Sequence, residues 1–408
     1  MNAQTLKATL PRDLMASVVV FLVALPLCMG IAIASGMPPT KGVITGIVGG
    51  LVVGWLAGAP LQVSGPAAGL TVLVFELVQQ YGAAMLGPIL LLAGALQLLA
   101  GRLKLGCWFR VTAPAVVYGM LSQLHVMLDG QPEASGLDNI GAFPAALWAA
   151  LPFSGGGNGL IAASLGLLTI ACMWAWDRLK PQRLRLLPGA LLGVAAATLA
   201  GLWLGLRVEV PDNLADAISW LQPADLLAFA DPGLLVAALA VAFIASAETL
   251  LSAAAVDRMH QGPRADFDRE LTAQGIGNML CGVLGALPMT GVIVRSSANV
   301  QAGARTRLSA MLHALWLLAA VVLLAALLEQ IPIASLAGVL VYTGLKLIDL
   351  NALRQLGRYG RMAMLIHLAT ALTIVATDLL TGVLLGFALT LGQLAWQASR
   401  LRVAVVQE

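Results

Sequence analysis

Two stretches of this 408-residue chain combine a Gly/Pro break with small side chains: Val63-Ser-Gly-Pro-Ala-Ala-Gly69 and Leu287-Pro-Met-Thr-Gly291. Each precedes an apolar segment of ~15 residues, ~22 Å as a helix, which is too short for a ~30 Å hydrocarbon core. A helix that starts in mid-membrane exposes unpaired N–H groups and the positive end of its dipole. Two such ends facing each other hold an anion without a buried lysine. Pro66 suits a first helical position and Pro288 lies at or just before the other start. Ala67, Ala68 and Gly69 let a ligand come close to the backbone, and Ser64 and Thr290 could add hydroxyl donors. That chemistry fits a small oxyanion. Glu248, in Ser246-Ala-Glu-Thr-Leu-Leu-Ser252, is one of few ionisable groups deep in an apolar run and hence a functional candidate. Ser252, four residues on, shares its helical face. A carboxylate there either binds a proton that travels with the anion, ligates Na⁺, or locks helix packing. Arg295, about two turns into the second short helix, either adds positive potential or pairs permanently with Glu248.

These residues need a membrane scaffold to position them. The chain is 59% hydrophobic and 11% charged, against about 25% charged in soluble domains. Hydropathy and turn residues predict about fourteen segments, near 13–35, 42–59, 66–80, 84–101, 112–128, 158–176, 186–206, 232–255, 271–286, 289–302, 307–328, 332–348, 362–378 and 380–399. With a cytoplasmic N-terminus, most of the 23 lysines and arginines fall in inside loops, as the positive-inside rule demands. The outside loops carry acids instead, among them Asp129, Glu133, Asp138, Asp225 and Asp231. No small-residue cleavage site follows the first run, so it reads as a retained span. Cys28, Cys107, Cys172 and Cys281 form no CxxC pair and read as small buried hydrophobes. His125, His313 and His367 share no metal-ligand spacing and read as packing or hydrogen-bonding residues. Glu76 lies near a segment end, and Asp257, Asp266 and Asp268 fall in a mixed cytoplasmic loop.

Splitting the chain after the seventh segment gives halves of opposite orientation, residues 1–206 and 207–408, each with two full spans before its short broken segment. Corresponding breaks of this kind mark an inverted-repeat transporter. The expected fold is thus an all-α polytopic membrane protein with two half-helices meeting at mid-membrane.

Pro11-Arg-Asp-Leu-Met-Ala-Ser17, Ala24-Leu-Pro26, Ala32-Ile-Ala-Ser-Gly-Met-Pro-Pro39, Ser64-Gly-Pro66, Ala247-Glu-Thr-Leu-Leu-Ser252 and Val294-Arg-Ser-Ser-Ala-Asn-Val-Gln-Ala-Gly-Ala-Arg-Thr-Arg307 together resemble the sulfate permease (SulP) family of anion transporters. The similarity runs over nearly the whole chain and in the family's order. It implies two inverted seven-segment repeats arranged as core and gate domains, with the anion between the third and tenth segments. Carried over by residue, Gly65, Pro66, Ala67 and Ala68 match one half-helix, and Gly291, Val292, Ile293, Val294 and Arg295 the other. Glu248 matches the acidic position of the eighth segment, and Ser252 a hydroxyl that helps bind Na⁺ in bicarbonate-carrying members. Leu27 and Val294 depart from the polar residues that many members place there. The fifth segment, around Val116-Val-Tyr-Gly-Met-Leu-Ser-Gln-Leu-His125, is shorter than in relatives, and the family's C-terminal STAS domain does not follow the last segment.

The resulting expectation is alternating-access transport of bicarbonate or sulfate with H⁺ or Na⁺ across a bacterial inner membrane, with both termini cytoplasmic. A passive anion channel or exchanger, a nucleobase or borate carrier, and a charge-moving scaffold are the alternatives. No nucleophile–base set, phosphate loop or zinc spacing points to an enzyme. No cofactor is expected, with Na⁺ at Glu248 and Ser252 as the one candidate ion. The expected partners are the anion and the bilayer, with no nucleic acid, and the resemblance implies a homodimer.

Overall fold

The computed structural model describes residues 3–105, 159–184, 186–203 and 218–347, with isolated positions between 127 and 148 and between 362 and 396. Most of the fifth segment, with His125, and most of the last two segments, with His367, lie outside the described residues.

Unbroken apolar runs form the long helices. α1 spans Ala3–Ala34 and accommodates Pro11 and Pro26 within it. α2 (Pro39–Val48) continues through a π turn, Gly49–Val53, to Leu56. Then come α3 (Thr71–Tyr81), α4 (Leu86–Arg102), α5 (Gly159–Leu179) and α6 (Gly189–Trp203). The later part supplies α7 (Pro232–Met259), α8 (Phe267–Val283), α9 (Ile293–Gln301), α10 (Leu308–Leu323) and α11 (Ile333–Leu347). Five described helices are long and apolar enough to cross a membrane. Large apolar side chains such as Leu199, Trp203, Leu239 and Val322 point outward, as a lipid-facing surface allows.

One prediction about the two breaks is corrected. They are not helix starts but three-residue strands, β1 (Ser64–Pro66) and β2 (Met289–Gly291), paired antiparallel with Gly65 opposite Thr290. Proline disfavours α conformation in the residue before it, so Gly65 and Leu287 extend the chain rather than wind it. Pro66 therefore lies in the strand. Ala68–Leu70 makes a 3-10 turn and α3 begins only at Thr71. Pro288 lies five residues ahead of α9, and its carbonyl accepts the Ala67 N–H at 3.2 Å. The half-helices are shorter than predicted, 11 residues in α3 and 9 in α9. At 1.5 Å per residue they reach only ~16 and ~14 Å.

A second feature holds this region rigid. α4 and α8 meet along a glycine seam: a Cβ on Gly94 would lie 2.5 Å from the Gly275 carbonyl oxygen, and one on Gly282 2.6 Å from that of Gly87. Small residues let membrane helices approach backbone to backbone, where no apolar driving force exists between them. The main core, with Leu70, Leu86, Ile89, Leu90, Val241 and Met289, fills the space between this pair, α3 and α7.

Candidate functional site

The strand pair is braced from several helices by polar side chains buried in an apolar setting. On α8, Glu270, Gln274 and Asn278 recur every four residues and so share one face. Glu270 Oε2 accepts the Ala59 N–H at 2.9 Å. Gln274 Nε2 donates to Glu270 Oε1 at 3.0 Å and to Ser64 Oγ at 2.6 Å. Asn278 grips Met289 twice, accepting its N–H at 2.7 Å and donating to its carbonyl at 3.2 Å. Asn278 also donates to Gln97, which in turn donates to Ser246 of α7. Thr249 accepts the Gly291 N–H at 3.1 Å, and Thr45 accepts that of Leu287 at 2.9 Å. Networks of this kind specify one arrangement of a buried site, here with Gln274 Oε1 left without a partner. Asn278→Ala strands the Met289 N–H and costs about 1–3 kcal/mol, read as a lower melting temperature in detergent.

Within that brace the two half-helix starts are bare. Neither Ala67, ahead of the α3 turn, nor Val292, ahead of α9, makes a side-chain cap. α7 and α8, by contrast, are capped by Asp231 and Asp266. The first amides of α9 are therefore open to a ligand, whereas at the start of α3 the Leu70 and Thr71 amides bond the Ala67 and Ala68 carbonyls and the Gly69 amide faces Glu248. The two starts leave opposite ends of the antiparallel ladder, ~10 Å apart for three residues at ~3.4 Å each.

Glu248 projects from α7 toward the Gly69 amide and the Thr290 hydroxyl. Its Oε2 and the Thr290 Oγ1 are nonetheless buried without a hydrogen-bond partner. Ser252 is buried one turn farther along α7. Arg295 is in the first turn of α9 rather than two turns in, because the strand delays the helix. It is fully buried, and none of its three guanidinium nitrogens has a partner. The guanidinium lies against Gly65, where a Cβ would meet Nη1 at 2.0 Å. No described ion pair joins Arg295 to Glu248, so the expected alternative of a permanent salt bridge falls away. Ser64 is engaged by Gln274 as an acceptor, whereas the Thr290 hydroxyl is uncommitted. The structure thus brings Glu248, Thr290 and Gly69 together and places Arg295 with Gly65.

Sequence reasoning missed the bracing residues Gln97, Glu270, Gln274 and Asn278. The signal of the last three was available as a polar stripe at four-residue spacing on one helix.

The chain matches the Sulfate permease family over residues 10–370. It belongs to that family. Among curated relatives, YvdB of Bacillus subtilis, assigned to sulfate transport, is 29% identical over 395 residues, covering 93% of this chain and 72% of that protein. The bicarbonate transporter BicA of Synechocystis is 25% identical over 399 residues, 92% of this chain and 68% of that protein. The transmembrane domain of a cyanobacterial BicA shares the fold, with a TM-score of 0.76 at 24% identity over 93% of this chain and 97% of that one. SLC26A9 does so with a TM-score of 0.78 at 14% identity, over 96% of this chain and 66% of that one. The sulfate permease family consists of anion transporters rather than enzymes, and this member is a helical membrane protein of that fold.

Proposed function

We propose that this protein is a secondary carrier of a small inorganic oxyanion, bicarbonate or sulfate, in a bacterial plasma membrane. The observation that supports this most is the pair of uncapped helix starts on either end of one braced strand pair. Open amides bind an anion without the desolvation cost that a buried lysine would bring. Arg295 adds positive potential from beneath β1, and the Thr290 hydroxyl is free to donate. Glu248 supplies the site for the coupling ion, a proton or a Na⁺ shared with Ser252. Its carboxylate sits where an anion's charge is felt, so loading of one ion alters the affinity for the other. The basic residues of loops 102–110, 178–185 and 258–269 support a cytoplasmic position for those loops and for both termini. Membership of the family also supports a homodimer and an arrangement of two repeats, 1–206 and 207–408, in this reading.

Labelled bicarbonate and sulfate uptake into proteoliposomes under imposed Na⁺ and H⁺ gradients tests this reading. Concentrative uptake of one anion that collapses with one gradient is expected. Downhill flux alone, insensitive to both gradients, makes the protein a passive channel instead.

A further inference from the structure

The two faces of the strand pair differ in what they meet. Directly opposed residues project their side chains from the same face, and successive residues alternate between faces. Thr290 opposes Gly65, so the Thr290 hydroxyl and the Arg295 guanidinium lying against Gly65 share one face, and Glu248 reaches Thr290 there. Ser64 opposes Gly291 and belongs to the other face. Two amide side chains sit over that pair. Gln274 Nε2 donates to Ser64 Oγ at 2.6 Å, and the Gln62 amide fills the space that a Cβ on Gly291 would need. The two amides are thus neighbours, over residues that an antiparallel ladder holds about 4.5–5.5 Å apart.

Both amides turn their nitrogens to partners and leave their oxygens without one. Gln62 Nε2 donates to the Thr249 carbonyl at 3.4 Å, and Gln274 Nε2 is shared between Ser64 and Glu270. Gln62 Oε1 and Gln274 Oε1 are buried and accept nothing, although an amide oxygen has two lone pairs to offer. Reversing Gln274 would set its oxygen against the Glu270 carboxylate, which fixes its orientation. Glu270 is itself fully buried and accepts hydrogen bonds at both oxygens, the pattern of an ionised carboxylate. No described ion pair joins it to a cation, and the neighbouring Arg307 is turned to the Trp55 carbonyl. A buried charge is ordinarily paired or bound to a metal ion. With the Ser64 hydroxyl and the Thr249 carbonyl, the two amides make a set of four uncharged oxygens close to one carboxylate. Oxygen ligands suit hard cations, and a single negative charge balances a monovalent one.

We propose that this second face is a binding site for a monovalent alkali cation, held by Gln62 Oε1, Gln274 Oε1, Ser64 Oγ and the Thr249 carbonyl and balanced by Glu270. The strand pair divides it from Glu248, so the two acidic groups serve separate ions. A cation here sets positive charge behind the strands whose other face carries Thr290. Cation and anion therefore raise each other's affinity. The site itself stands on its own oxygens and does not depend on which anion, if any, is carried.

The test follows the melting temperature of the purified protein in detergent as NaCl or KCl replaces choline chloride at constant ionic strength, in wild type and in Glu248→Gln. Saturable stabilisation by Na⁺ or K⁺ over choline is expected in both. In the Glu248→Gln background, Gln62→Leu raises the half-saturating cation concentration at least about tenfold. Gln62→Glu, which turns a neutral ligand into a charged one, lowers it about tenfold. Absence of any cation-specific stabilisation leaves water as the occupant and overturns the proposal. So does a response that disappears in Glu248→Gln. A half-saturating concentration that Gln62→Glu leaves unchanged overturns it as well, even where Gln62→Leu fails to fold. None of these titrations contains sulfate or bicarbonate, so a protein that carries neither anion overturns only the carrier reading.

Discussion

Glu248→Gln loses ion-driven accumulation of the anion by about ten- to hundredfold, the equivalent of one charge-assisted interaction of roughly 1.5–3 kcal/mol, while exchange of anion for anion persists. Glutamine keeps the shape of the side chain, and the neighbouring Thr249 still holds the Gly291 amide, so the strand pair stays in place. What disappears is the only charge on α7 that approaches Thr290 and the Gly69 amide. A neutral amide neither takes up a proton nor ligates Na⁺ with comparable strength. Uptake into proteoliposomes, compared with and without each gradient, separates the two activities. Coupling that survives the substitution removes Glu248 from the mechanism.

Gly65→Ala abolishes high-affinity anion binding, weakening it by at least about tenfold, because one methyl group at this position displaces a guanidinium. The added Cβ would stand 2.0 Å from Arg295 Nη1, in a site where Arg295 is completely buried. Overpacking of a filled interior costs about 1–3 kcal/mol in itself, so melting temperature is measured beside affinity. Gly65→Ala paired with Arg295→Lys, which shortens and narrows the cation, recovers stability but not binding. Unaltered anion affinity in the single variant excludes the Arg295 guanidinium from the site.

Much of this arrangement was legible in the residues. The Gly/Pro breaks announced two truncated segments, and the isolated acid of Ser246-Ala-Glu248 announced its position beside them. Among the described residues hydropathy found the full-length helices to within about five residues, apart from α1, which starts well before the expected residue 13, because a bilayer imposes length and apolarity on any span. The paired strands were not legible. Ser-Gly-Pro and Met-Thr-Gly carry neither β-branched enrichment nor the alternation that marks a strand, and their pairing joins positions more than two hundred residues apart. It is imposed by the helices that carry the braces. The place of Arg295 was misjudged for the same reason, since a helix expected at Pro288 starts at Ile293. The Glu270, Gln274 and Asn278 stripe was readable, and its meaning emerged only with the backbone groups it meets.

The bare starts of α3 and α9 carry a thermodynamic corollary. Glu248 Oε2, the Thr290 hydroxyl and three Arg295 nitrogens are buried around them without partners, so the protein holds desolvated polar groups at a cost, a local tension within the fold. Its cargo relieves that tension on arrival, so the transported ion also serves as a transient structural element, lent to the fold on each passage and withdrawn on release.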